Sequence, residues 1–379
     1  MTRHSSKRII VALSGGVDSA VAAIQLVRQG HDVAALHMTN WEDDDGYCTA
    51  ATDLQDARTI CNDIGIPLHQ VNFAAEYREQ VFASFLDEYS RGRTPNPDVL
   101  CNREIKFGVF LDYARRLGGE LIATGHYARA QPGPPVRLLK GVDDTKDQSY
   151  FLHQVSAEAL ASTVFPLGSM TKTEVRRIAN EAGLSVYDKR DSTGICFIGE
   201  RPFRDFLAQF VSGEPGNAVT PAGRVVGHHD GLMYFTLGQR QGLRIGGLAD
   251  GSHEPWFVAG KDEHRNELIV VQGRDHPLLW SDGLDVSATH WIGGEPAELA
   301  AGSTLNCAVK TRYRQDDAPC TVNRGAKGGL HIAFDAPQWV VTPGQYAVLY
   351  RDDECLGGGP IESAWRVESP VAANGTAPL

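Results

Sequence analysis

The chain has 379 residues and a formal net charge of −11, with 42% apolar and 22% charged residues. That is the make-up of a globular protein of two or three domains, and it rules out a disordered or fibrous one. Seven cysteines, an odd number with no CxxC pair, argue against a disulfide framework, a zinc ribbon or a typical iron–sulfur site, and fit a reducing cytoplasm with reactive thiols.

No apolar run reaches about 18 residues, so no membrane span is expected. Met1–Arg8 is short, polar and basic, and with no apolar stretch behind it no secretory signal is expected. The first element is Ile9-Ile10-Val11-Ala12-Leu13, an apolar, β-branched run that reads as a buried parallel strand. It breaks into Ser14-Gly15-Gly16-Val17-Asp18-Ser19 and resumes as an amphipathic helix with Val17, Ala20, Val21, Ile24 and Val27 on one face, ending at Gly30. Strand, glycine turn and helix together aim backbone N–H groups and the positive helix end at an anion, usually a phosphate. Neither GxxxxGK[ST] nor GxGxxG is present, and two glycines alone equally suit a tight turn in an ordinary α/β domain.

Residues 32–38, 68–73 and 120–124 read as further strands, and 51–64 and 76–89 as helices. Such alternation predicts a doubly wound parallel sheet with helices on both faces. Ligands bind beyond the carboxyl ends of such strands, which puts Ser14–Ser19, His37–Met38 and Gly125–His126 on one rim. The acidic loop Glu42–Gly46 is either a solvated loop or a holder of Mg²⁺. In Gly92–Asn102 a helix starts near Asn96, Pro97 and Asp98, with Cys101 in its first turn. A helix N-terminus and the nearby Arg103 favour a thiolate there. Equally, Asp98 is only an N-cap and Cys101 a small buried residue.

Arg137–Lys140 reads as a short strand, and Lys146-Asp147-Gln148 as polar residues ahead of a helix start. Thr171 to about Ala182 is a helix with a Thr171/Glu174 capping box and Gly183 at its end. Asp191–Arg201 is a glycine-bracketed loop presenting Cys196, whose alternative is a turn with an inert cysteine. From about residue 203 short strands and turn-like His229-Asp230-Gly231 and Ala249-Asp250-Gly251 replace the alternation, and from Pro277 the pattern is all β. Leu305 to Arg314 reads as one strand with an apolar back and a cationic front (Lys310, Arg312, Arg314) suited to a phosphate backbone. Gly357-Gly358-Gly359 reads as a turn. Basic pairs such as Arg91/Arg93, Arg103/Lys106 and Arg115/Arg116 are each a solvated face, or together line one groove. The expected domains are an α/β domain at 1–203, a small β-rich domain at 204–277 and a barrel-like β domain at 278–379.

The string Ser14–Ser19 resembles the pyrophosphate loop of the PP-loop ATPases, which split ATP between the α- and β-phosphates and adenylate a substrate oxygen. It is followed in order by Gly92–Asn102, Ala123–Tyr127, Lys146–Leu152, Asp191–Arg201, Phe235–Arg240, Thr311–Gln315 and Cys355–Gly359. This series closely resembles the bacterial tRNA-specific 2-thiouridylases from the first strand nearly to the C-terminus. The resemblance implies a PP-loop (adenine nucleotide hydrolase-like) first domain that holds ATP with Ala12, Leu13, Ser14, Gly15, Gly16, Val17, Asp18, Ser19, Met38 and Gly125, Asp18 helping to hold Mg²⁺. It implies a tRNA whose wobble uridine is flipped against Asn96, Pro97 and Asp98. Further tRNA contacts are implied for His126, Lys146, Asp147, Gln148, Arg312, Tyr313 and Gln345. By the same likeness Cys196 carries a persulfide from a cysteine desulfurase or a sulfur-relay protein, Cys101 attacks it, and Asp98 acts as general acid/base. No dedicated protein metal site and no membrane partner are expected, and the chain is expected to be a cytoplasmic monomer. Two rival readings are a PP-loop ligase that activates a small carboxylate or carbonyl for amine attack, and a non-catalytic nucleotide- or RNA-binding module. The ligase leaves Cys101 and Cys196 without roles.

Overall fold

The computed structural model describes residues 6–42, 50–190, 203–246, 254–325 and 328–367. Ile9, Ile10 and Val11 are fully buried in β1 (Arg8–Ala12), the middle strand of a parallel sheet. Its other members are β2 (Asp32–Thr39), β3 (Leu68–Asn72), β4 (Leu121–Ala123) and β7 (Thr163–Val164), in the order β3-β2-β1-β4-β7. Side chains alternate across the pleat. Ile9 and Val11 share a core with Ala23 and Leu26 of α1 (Val17–Arg28), while Ile10 faces Phe110 and Ala114 on the other side. The sheet is therefore doubly wound, as its alternation predicted. Strand order reverses between β1 and β4, which opens a crevice at their carboxyl ends. Helix α2 (Ala50–Ile64) follows β2, and a helical run over 74–90 and another over 97–116 precede β4. Both runs contain a wide π-helical stretch, Arg78–Phe82 and Cys101–Val109.

A four-stranded sheet follows, β10 (Trp256–Asp262), β11 (Glu267–Gln272), β8 (Gly216–Val219) and β9 (Val225–His229) in that order. The last region is a closed six-stranded barrel. Around it run β12 (Trp280–Val286), β16 (Leu330–Trp339), β15 (Ala318–Arg324), β14 (Leu305–Lys310), β17 (Tyr346–Arg351) and β18 (Glu354–Trp365), and a β12–β18 pairing closes the ring. A short β13 (His290–Trp291) adds to β18. The hairpin of β5 (Ala128–Gln131) and β6 (Arg137–Lys140) also joins β18, through Glu354 opposite Leu139 and Cys355 opposite Leu138. The first and last regions thus share a core, in which Leu138, Tyr150 and Leu152 sit with Val348, Tyr350 and Cys355.

Three expectations are corrected. Gly357–Gly359 lies inside β18, and the turn before it is at Asp352–Asp353. These glycines serve close packing: a Cβ on Gly358 would lie 2.1 Å from the Ala347 carbonyl oxygen and one on Gly359 1.9 Å from that of Ala288. The strand at Leu305 ends at Lys310, and Thr311–Gln315 is a turn closed by the Thr311 hydroxyl donating to Gln315 Oε1 at 2.6 Å. Asp230–Gly231 leads into a 3₁₀ turn, Leu232–Tyr234, and makes no hairpin. Ala249–Gly251 lies outside the described residues.

Candidate active site

The Ser14–Ser19 loop wraps the start of α1. Ser19 Oγ donates to the Gly16 carbonyl at 3.0 Å and accepts from the Ser14 backbone N–H at 3.2 Å. Gly16 occupies the N-cap position and no side chain caps the helix, so the first-turn N–H groups keep their capacity for an external anion. Gly15 has φ +82°, and a Cβ there would lie 2.4 Å from the Asp53 carbonyl oxygen of α2. Gly125, just beyond β4, packs so closely that a Cβ would lie 2.8 Å from the Ser19 nitrogen. Gly125 therefore packs directly against the start of α1. Ala12 and Leu13 lead into the turn, with the His37 ring donating to the Leu13 carbonyl at 2.8 Å. Val17 is buried, and Met38 lies half-buried on β2.

Two lysines complete this rim, Lys172, which the sequence reading did not name, and Lys189, which it gave only as half of a basic pair with Arg190. Lys172 Nζ sits 2.8 Å from both Asp18 carboxylate oxygens, and the Tyr127 hydroxyl donates to the same carboxylate at 2.7 Å. Lys189 Nζ donates to Asp56, Asp53 and the Gly15 carbonyl at 2.6, 2.9 and 3.3 Å. Burial opposes the Lys189 charge, but its bonds to Asp56 and Asp53 more than offset this and hold its pKa above the usual value. A phosphate-seeking loop thus has two ammonium groups at its edge, each held by carboxylates.

The second half of the site is the helix start at Pro97. Asn96, with extended backbone, is the cap: its side chain accepts from the Asp98 N–H at 3.2 Å, and Pro97 is the first helical residue. Asp98 is thus not the cap. Cys101 falls in the second helical turn, not the first, its N–H already bonded to the Pro97 carbonyl. The side chain of Cys101 is 3% exposed. Asp98 is exposed at the helix start, and desolvation by its surroundings raises its carboxyl pKa against the opposing charge of Lys106. His126 is buried between Phe107 and Phe165 and shares a 2.8 Å hydrogen bond with Thr124. Burial and then Lys106 push its pKa well below the usual histidine value. Lys106 is the charge common to Asp98 and His126, and His126 adjoins Gly125. Cys196 lies outside the described residues.

Both later domains hold the loop that leads to Asn96. From the middle region, Lys261 Nζ on β10 donates to the Gly92 carbonyl at 2.7 Å, and Thr236 Oγ1, just past the 3₁₀ turn, lies 3.3 Å from Thr94 Oγ1. From the barrel, Gln345 Nε2 donates to the Thr94 carbonyl at 2.8 Å, and the Thr94 N–H donates to the Pro343 carbonyl at 3.1 Å. Desolvation lowers the Lys261 pKa to about 8, with Glu263 opposing. This gives Gln345 a physical role that no local sequence pattern revealed.

The other residues implied to touch tRNA are engaged within the protein. Asp147 is buried and accepts from Gly141 N–H, Ser149 N–H and Ser149 O–H at 3.0, 3.1 and 2.9 Å. Gln148 accepts from the Tyr127 N–H at 3.0 Å. Lys146 stands half-buried in the preceding turn. Arg312 donates to Thr342 Oγ1 at 2.8 Å and to the Leu237 carbonyl at 3.3 Å, and desolvation lowers its pKa. Tyr313 packs on Phe151, ring centres 4.4 Å apart. Lys310 lies over the Tyr350 ring and pairs with Asp317 at 3.5 Å, so it turns into the protein, while Arg314, beyond the strand end, is exposed. The basic pairs are largely answered by carboxylates: Arg91 by Asp87, Arg93 by Glu88, Arg103 by Glu104 and Arg115 by Glu158.

Comparison with known proteins gives the family of the chain. Residues 7–200 match the family described as tRNA methyl transferase HUP domain, 204–272 the tRNA methyl transferase PRC-barrel domain and 281–361 the aminomethyltransferase beta-barrel domain. The tRNA-specific 2-thiouridylase MnmA of Marinobacter nauticus is 56% identical over 97% of this chain and 94% of its own length. That of Methylobacillus flagellatus is 56% identical over 94% of this chain and 99% of its own, and that of Methylococcus capsulatus 56% over 96% and 99%. With such identity along nearly the whole length, and a glycine loop at the switch point of a doubly wound sheet, this chain belongs to the family of tRNA-specific 2-thiouridylases.

Proposed function

We propose that this tRNA uridine sulfurtransferase activates the wobble uridine with ATP and replaces its O2 by sulfur delivered from a cysteine persulfide. The uncapped start of α1 facing Gly125 carries the reading, because it is a site for the phosphates of a nucleotide whose α-phosphorus is to be attacked. Uridine O2 displaces pyrophosphate from that phosphorus, and the O2–adenylyl group then leaves C2 as AMP. The first-turn N–H groups of α1, with Lys172 and Lys189, hold the departing pyrophosphate. Asp18 offers the hard oxygens that suit Mg²⁺, which when bound would neutralise phosphate charge. Lys172 occupies those oxygens now and would turn from carboxylate to phosphate.

Asn96, Pro97 and Asp98 receive the flipped base at the helix start. Asp98, its pKa raised, is suited to accept a proton from the base and to return one. Cys101 attacks the inner sulfur of a persulfide on Cys196. A Cys101–Cys196 disulfide forms and the terminal sulfur, released as a nucleophile, adds to C2.

The test is transfer of ³⁵S from cysteine through a desulfurase to unmodified tRNA, with AMP formation followed in parallel. Label in tRNA with wild type, none with Cys101→Ser or Cys196→Ser, and AMP still formed by at least one variant supports the reading. Label surviving both substitutions removes the two-cysteine route. AMP formation indifferent to tRNA would favour a small-molecule ligase.

A further inference from the structure

Away from this site, Cys307 and Cys320 are direct register partners on β14 and β15, with their sulfurs 3.8 Å apart. Direct antiparallel partners have Cα atoms about 4.5–5.5 Å apart, within the range of about 4.4–6.8 Å that disulfides span. The backbone already has disulfide dimensions, and bonding needs the sulfurs to close by about 1.8 Å. The two thiols are not equivalent. Cys307 is half-buried, whereas Cys320 is 3% exposed. The hydrogen bond to Cys307, then burial, pushes the Cys320 thiol up, so Cys320 keeps its proton and Cys307 is the sulfur a reagent reaches. Cys61 and Cys355 lack such a neighbour among the described residues: Cys61 is buried with its pKa pushed up to about 11, and Cys355 is raised by burial too.

We propose that Cys307 and Cys320 form a redox-active dithiol that a low-molecular-weight disulfide converts to a cross-strand disulfide. The Cys307 thiolate attacks one sulfur of the reagent, forming a mixed disulfide and expelling one thiolate. Cys320, giving up its proton, attacks Cys307 Sγ and expels the second thiol. The pair is oxidised by two electrons and the reagent is reduced to two thiols. The bond would close the root of the segment 311–317, whose Arg312 and Tyr313 reach Leu237, Thr342 and Phe151. Neither cysteine takes part in the sulfur transfer proposed above, so the cross-link and thiolation read out independently.

The intact chain is equilibrated with oxidised glutathione, quenched with iodoacetamide and digested with trypsin. Lys310, Arg312 and Arg314 lie between the two cysteines, so the bond joins two separate peptides, 275–310 and 315–324. The expected result is that joined species, two hydrogens lighter than the sum of its parts. It should be abolished by dithiothreitol and by Cys307→Ser, and formed at least tenfold faster in the folded chain than in urea. Separate peptides, each alkylated or glutathionylated, would overturn the proposal. So would equal rates in folded and urea-unfolded chain, because proximity in sequence would then be the cause.

Discussion

At Asp98 the proposed acid/base role would set chemistry against stability. A carboxyl whose pKa is raised in the folded state binds its proton more tightly there than in the unfolded chain. Its favourable contribution is whole below the unfolded value, near 3.9, and is lost as pH rises through the folded value. At neutral pH the wild type bears that loss. Asp98→Asn should therefore raise Tm at pH 7.5, with the gain vanishing below about pH 4, while tRNA thiolation falls by roughly 10²-fold or more. A lower Tm at pH 7.5 would contradict the desolvated-carboxylate account. At the other half of the site, Gly15→Ala puts a Cβ against the Asp53 carbonyl at φ +82°. Loss of ATP-to-AMP conversion with the circular dichroism spectrum retained is the expected outcome.

Among the elements, the loop before Asn96 is held from two other domains. A hydrogen bond from a charged donor is worth about 1.5–3 kcal/mol, and if felt in the transition state that is about 10–100-fold in rate. Lys261→Met should slow tRNA-dependent AMP formation by about that much while tRNA affinity by gel shift stays unchanged. Gln345→Leu should do the same, with a milder loss. A weaker tRNA complex with kcat intact would assign Gln345 to tRNA contact instead. Such long-range ties explain which parts were legible in sequence. The Thr171 and Glu174 side chains bond each other's backbone N–H, and the Ser14–Ser19 turn closes on itself, so both could be read from neighbours along the chain. Lys172 meets Asp18 across 154 residues and Gln345 meets Thr94 across 251, and no local period marks such pairs. Alternation misled where polar and apolar residues interleave for another reason. Lys310 faces the junction with Lys140 and Tyr350 rather than solvent.

Over the whole molecule, acid should act through buried neutral histidines. His153 is fully buried, its Nδ1 2.6 Å from the Tyr150 carbonyl oxygen, and desolvation lowers its pKa to about 3; His126 is lowered as well. A histidine whose folded pKa is depressed loses stability as pH falls through its unfolded value near 6.5, at about 1.4 kcal/mol per pH unit. Urea melts between pH 6 and pH 4 should show His153→Phe flattening the decline by about that slope, whatever its effect at pH 7. A parallel decline would refute the assignment. The shared core makes a second claim at this scale: residues 1–203 expressed alone should not fold cooperatively, because Leu138, Tyr150 and Leu152 would lose Val348, Tyr350 and Cys355. A cooperative melt of that fragment would count against it.

The pairing of the β5–β6 hairpin with β18 also bears on how the chain is born. Ribosomal synthesis usually lets a leading domain fold before the rest emerges. Here the strand that receives the hairpin, residues 354–365, is made long after it, Glu354 following Arg137 by 217 residues. Nascent chains therefore complete their catalytic half only when the barrel arrives to seal it. A chain cut short before residue 354 would carry an open core, with Leu138, Tyr150 and Leu152 left uncovered.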